Sequence, residues 1–199
     1  MSINLVEAVQ AKLGCPALHK IDPNTQEIIK DDKPVDLLAQ AAIPTVLIEM
    51  YKASTNEQQA ANLLRENSSS SGAKDLFKDD YTSVVERVAA YSHKSVEEAG
   101  HEMDKVTHAS HAVLRENLKG TDGKSVKSFF NSQIANLKKY IPGALHIGDA
   151  LHDNTIDDRT HKMEGPMSDA MHAIERLFSD GTNQKKAFNP TDDTIHYKK

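Results

Sequence analysis

Ser95-Val-Glu-Glu-Ala-Gly-His-Glu-Met-Asp-Lys-Val-Thr-His-Ala-Ser-His-Ala-Val-Leu-Arg-Glu-Asn-Leu118 is the longest uninterrupted helical pattern in the chain. Val96, Ala99, Met103, Val106, Ser110, Val113 and Leu114 recur at three- and four-residue intervals, which aligns them along one side of a helix. Ser95 and Glu98 have the spacing of a capping box, each side chain accepting from the backbone N–H of the other residue. No proline interrupts the run, and Lys119-Gly120 predicts a left-handed C-cap. The other side carries Glu97, His101, Asp104, His108, His111 and Arg115, all within about ±40° of one line at about 100° per residue. The apolar stripe lies roughly 140° away, so the polar ladder is expected to face solvent.

The same reading extends in both directions. Asn4 and Glu7 cap a first helix whose apolar side is Leu5, Val6, Val9 and Leu13, ended by Gly14 and Pro16. Residues 17–21 are compatible with a helical turn, and Asp22-Pro23-Asn24 with a reverse turn. Pro34 is placed at a first helical position, and the helix that follows is expected to break or kink at Pro44. Thr55 with Gln58 predicts the cap of the next helix, with Ala60, Ala61, Leu63 and Leu64 inward. The serine run 68–72 reads as a loop. Short helices at 73–77 and 81–91 lead into the long one. Ser125 is read as the cap of a helix over 126–140, interrupted at Pro142-Gly143 before another at about 144–153. Residues 167–178 predict a last helix. The segment 182–199 is polar and weakly patterned, a tail beyond a single domain spanning 1–181. No segment alternates like a strand, so the fold class is all-α, a multihelical bundle of roughly eight or nine short helices. Leu64-Arg65-Glu66-Asn67 recurs as Leu114-Arg115-Glu116-Asn117, a faint internal repeat.

Composition narrows the partners. Only 38% of residues are hydrophobic and there is no Trp, which suits amphipathic helices with wet outer faces. A net charge of −5, with lysines and arginines scattered among acids, argues against nucleic acid. The longest apolar run, 37–48, contains Gln40, Pro44 and Thr45 and is too short and too polar to span a bilayer. The single Cys15 excludes an internal disulfide and fits a reducing compartment. With no signal-peptide pattern at residues 1–7, the expectation is a cytoplasmic protein.

Two stretches carry a family resemblance. One is Ala42-Ile43-Pro44, followed by Lys52-Ala53-Ser54-Thr55-Asn56-Glu57-Gln58-Gln59-Ala60-Ala61-Asn62-Leu63-Leu64. The other is Phe129-Phe130-Asn131-Ser132-Gln133-Ile134-Ala135-Asn136-Leu137 leading to Ile141-Pro142-Gly143-Ala144-Leu145. Together they are similar to the opening and closing motifs of the YidB-like bacterial family, a domain family of unknown function. The resemblance covers about residues 1–150 and departs from the family after Leu145. It implies a multihelical bacterial protein and brings no catalytic residues and no cofactor.

Two readings of function follow. The first is a non-enzymatic protein acting by binding a protein partner or by self-association. The second is a divalent-metal protein, holding zinc or iron through His101, Asp104, His108, His111, Asp149 and His152. Histidines one or two helical turns apart can share a cation that carboxylates complete. Acid-x-x-His spacing also recurs, at Glu98/His101, Asp149/His152, Asp158/His161 and Asp169/His172. Against the metal reading, core metal ligands must project among apolar residues, whereas this ladder is predicted to point away from them. Cys15 with His19 is read as structural rather than nucleophilic. No phosphate-binding, dinucleotide, serine-hydrolase or zinc-protease motif occurs.

Overall fold

The computed structural model describes residues 3–22, 24–29, 34–65, 72–118, 120 and 122–151, all within one compact unit. Helix α1 spans Leu5–Leu13, α2 Leu37–Ser54, α3 Glu57–Arg65, α4 Ala73–Phe77, α5 Tyr81–Ser92, α6 Val96–Asn117 and α7 Gly123–Leu137. A four-residue helix, α8, covers Ile147–Ala150, and single 3-10 turns cover Lys78–Asp80, Lys138–Tyr140 and Gly143–Leu145. Among the described residues, 76% are helical and no strand forms. The one ladder-like contact is an isolated antiparallel bridge between Ile21 and Ile28, so residues 17–21 are not a helical turn. The expected last helix at 167–178, the tail from 182 and the serine run 68–71 lie outside the described residues.

The core is built around α2. Every residue from 39 to 50 is buried, and α2 packs against α1, α3, α4, α5, α6 and α7. A helix buried on all sides has no solvent face and hence no amphipathic stripe. That burial accounts for a departure from expectation at Pro44. The proline lies inside an unbroken α2, although an interior proline costs about 3 kcal/mol. Burying Ile43, Val46, Leu47, Ile48 and Met50 completely offsets it, at roughly 1.5–3 kcal/mol for each large apolar side chain. Pro142 and Gly143 do mark a break, since α7 and its 3-10 extension have ended by Tyr140.

Helix ends follow side-chain capping, with some shifts from expectation. Asn4 Oδ1 accepts from the N–H groups of Val6 and Glu7, and Gly14 closes α1 at φ +69°. The capping box of α6 is present, with Glu98 N–H to Ser95 Oγ at 3.1 Å and Ser95 N–H to Glu98 Oε2 at 3.0 Å. α6 closes at Leu118 in an extended conformation, and Lys119 of the expected Lys119-Gly120 cap lies outside the described residues. Asp36 caps α2, which starts at Leu37, so Pro34 lies before the helix rather than at its first position. Asn56, rather than Thr55, caps α3 through Gln58 and Gln59, while Thr55 closes α2. Asp122 caps α7 one turn earlier than the expected Ser125, whose N–H it accepts. In these cases a carboxylate or amide beside the expected residue takes the orphan N–H groups of the first turn.

Two buried amides lock the layers together. Gln40, fully buried on α2, donates through Nε2 to the carbonyls of His19 and Tyr140 at 3.0 and 2.9 Å. Its Oε1 accepts the His19 backbone N–H at 2.8 Å. Gln133 on α7 accepts the Leu5 N–H at 3.1 Å, tying α1 to α7. The α3–α7 contact depends on Gly123, where a Cβ would stand 1.9 Å from the Glu57 carbonyl oxygen.

Candidate functional site

The polar ladder of α6 divides among three environments. Glu97, His101 and Arg115 are exposed, while Asp104 and His108 are half-buried. Asp104 caps α4 from a distance, its Oδ1 accepting the Ala73 N–H at 2.7 Å. His111, expected to be exposed, is completely buried, with Nδ1 2.7 Å from the Leu63 carbonyl. A carbonyl only accepts, so the proton sits on Nδ1. The reason is positional. Leu63 is in the last turn of α3, where carbonyls lack an intrahelical donor, and α3 packs over the C-terminal half of α6. The buried face of α6 therefore widens beyond the stripe expected from spacing, while Val96 at the other end is 52% exposed. Asp149 is exposed near His146, 4.0 Å from its Nδ1, and His152 lies outside the described residues. Among the described residues, no three His, Cys, Asp or Glu side chains converge to hold a metal ion. Cys15 is a half-buried thiol whose pKa is pushed up, chiefly by burial, which disfavours the thiolate.

The chemistry concentrates at the C-terminal end of α2. Glu49 and Lys52 are one turn apart and so share a face. Gln59, Asn62 and Leu63 of α3 form a second wall of a pocket of about 360 Å³. The third wall is Asp75, Leu76 and Phe77 of α4 with the following turn Lys78, Asp79 and Asp80, and Ala53 also lines the space. The chain enters that turn through Lys78 at φ +52° and ψ −118°, a positive φ uncommon for a non-glycine residue. This bend brings Asp80 back toward α2.

Glu49 is only 9% exposed, and its Oε2 is buried without a hydrogen bond. Its nearest counter-charge is Lys52 Nζ at 3.6 Å. That ammonium stands 3.8 Å from Asp80 Oδ2 and donates to the Leu151 carbonyl at 2.9 Å. Burial pushes the Glu49 carboxyl up to about 7, and the charge of Asp80 adds to this; Lys52 and Lys78 oppose it. A carboxyl that changes charge near neutrality, in the wall of a pocket, is a marker of function. The available signal was a lone acid, Ile48-Glu49-Met50, at the end of the apolar run, with a lysine three residues on.

The fold and pocket define a class: an all-α bundle with a carboxylate-rich pocket at the end of its buried central helix. No protein-family model, curated protein or solved structure matches the chain. No helix among the described residues is long and apolar enough to cross a membrane.

Proposed function

We propose that this chain works by binding rather than by catalysis, with the Glu49 pocket as its binding site. The observation that carries the reading is the pairing of a concave pocket of small-ligand size with a largely buried carboxyl, ion-paired to Lys52, in its wall. Among the described residues, those lining the pocket include no Ser, Thr, Cys, His or Tyr. Among them Glu49 has no neighbouring nucleophile or relay, which supports binding over acyl or phosphoryl transfer. Kinship with the YidB-like bacterial family belongs to this proposal and rests on the two motifs alone. The pocket shifts the emphasis from a macromolecular partner or a second copy toward a small ligand.

A thermal-shift screen of a small-molecule collection tests this, comparing the wild type with Ala53→Trp, which fills the pocket. Ligand at about a hundred times its Kd adds about 2.7 kcal/mol of stability. At least one compound is expected to raise the Tm of the wild type and not that of the filled variant. Equal responses from both proteins across the collection would remove the pocket as the binding site.

A further inference from the structure

We propose that the furrow between α5, the start of α2 and the 142–146 turn binds an aliphatic monocarboxylate such as a fatty acid, its head group on Arg87 and His93. This site is separate from the Glu49 pocket and stands or falls independently of it. The furrow has two halves, of about 580 and 450 Å³, which meet at Leu37, Tyr91 and Ala144. Each is of the size that ligand pockets occupy.

The floor is apolar along its length. Ala90 and Leu145 extend it in one half, and Ile28, Val35 and Pro142 in the other. Three large apolar side chains are conspicuously exposed among the described residues: Ile29, Val35 and Val96. Val35 belongs to the furrow, and Ile29 follows Ile28 in sequence. Apolar surface gathered at one exposed place marks an interaction surface.

Charge decides the kind of ligand. In the Leu145 half stand Arg87, His93 and His146. Arg87 donates through Nη1 to the carbonyls of His146 at 2.7 Å and Leu145 at 3.4 Å, which holds the guanidinium in the wall. Those bonds leave the N–H groups of Nη2 and Nε. None of the ion pairs among the described residues involves Arg87. The side chain is half-buried rather than enclosed, so a ligand can reach it. A guanidinium matches a carboxylate with two parallel hydrogen bonds. His93 is exposed, and an imidazole donates a hydrogen bond in either charge state. His146 has Asp149 4.0 Å from its Nδ1, so the head group is assigned to Arg87 and His93.

Among the described residues the one acid lining the furrow, Glu27, belongs to the other half. Residues 30–33, which follow that half in sequence, hold two lysines and two aspartates and add no net charge. A ligand that matches this layout is anionic at one end and apolar at the other. A dicarboxylate would set its second charge against Glu27.

Titration calorimetry of the full chain with decanoate, kept below its micelle concentration, tests the proposal. Saturable binding is expected. Decyltrimethylammonium, with the same tail and the opposite charge, should bind at least tenfold more weakly, and so should decanedioate. Arg87→Gln should weaken decanoate at least tenfold. Because Arg87 also holds two main-chain carbonyls, Ala144→Glu is the second variant. It places a carboxylate on the exposed floor, leaves those bonds intact, and should also weaken decanoate at least tenfold. Ala53→Trp, in the Glu49 pocket, should bind decanoate like the wild type. Either control ligand binding as tightly as decanoate, binding indifferent to Ala144→Glu, or binding lost in Ala53→Trp would each overturn the assignment. So would the absence of saturable binding. Capture of phosphatidylglycerol vesicles without any response to monomeric decanoate would overturn it in favour of a membrane surface.

Discussion

Replacing Glu49 with Gln is expected to make the protein more stable above neutral pH and to flatten its pH dependence. In the wild type the carboxyl titrates at about 7 when folded, against 4.5 in an unperturbed environment. At about 1.4 kcal/mol for each tenfold change in proton affinity, the interval corresponds to roughly 3 kcal/mol. The folded state holds this proton more tightly than the unfolded chain. The contribution of Glu49 is therefore most favourable below pH 4.5, is lost as pH rises toward about 7, and stays lost above that. Glutamine keeps the shape without the charge, so the variant lacks this loss, while Lys52 retains Asp80 and the Leu151 carbonyl as partners. The assay is urea unfolding followed by helical circular dichroism at pH 5 and pH 8, on both proteins. Every other ionisable group is common to both proteins, so the difference between them isolates Glu49. Relative to wild type, the variant should gain about 2–3 kcal/mol between the two pH values. A difference that stays constant within about 0.5 kcal/mol, the usual scatter for a surface change, would refute the buried, proton-holding carboxylate.

On α6, His111→Ala should cost about 1–3 kcal/mol by the same unfolding assay, because it strips the buried Leu63 carbonyl of its donor. His101→Ala, at an exposed position, should stay within about 0.5 kcal/mol. Met103→Ala should cost about 2–5 kcal/mol, since its side chain is fully enclosed. Gly123→Ala should destabilise by about 1–3 kcal/mol or more, seen as a lower Tm, because the new Cβ would meet backbone rather than a side chain that can swing away. Elemental analysis of the purified protein, with Tm measured with and without zinc or iron, addresses the metal reading. A metal-dependent stabilisation lost in His108→Ala would establish that reading, whereas the same response in both proteins is the expected result.

Local rules were enough to read much of the helical framework. The capping box at Ser95, the glycine stop at Gly14, the 73–77 helix and the break at Pro142-Gly143 depend on residues within a turn of each other, so sequence carries them directly. The all-α class follows from periodicity in the same way. What depends on a second element was not legible. The stripe of α6 is the conspicuous one in the sequence, but the structure puts α2 at the centre, and a helix buried all round has no stripe to notice. Pro44 continues a helix there because neighbours on every side outweigh its local cost. His111 sits on the polar ladder by angle and in the core by position, because α3 happens to end above it. The pocket draws on α2, α3, α4 and the turn at Lys78, and Glu49 owes its raised pKa to burial, which only the packed structure defines. Sequence thus determined where helices start, stop and turn an apolar side inward. Tertiary packing decided which charges were drawn out of water, and that is where the candidate function resides.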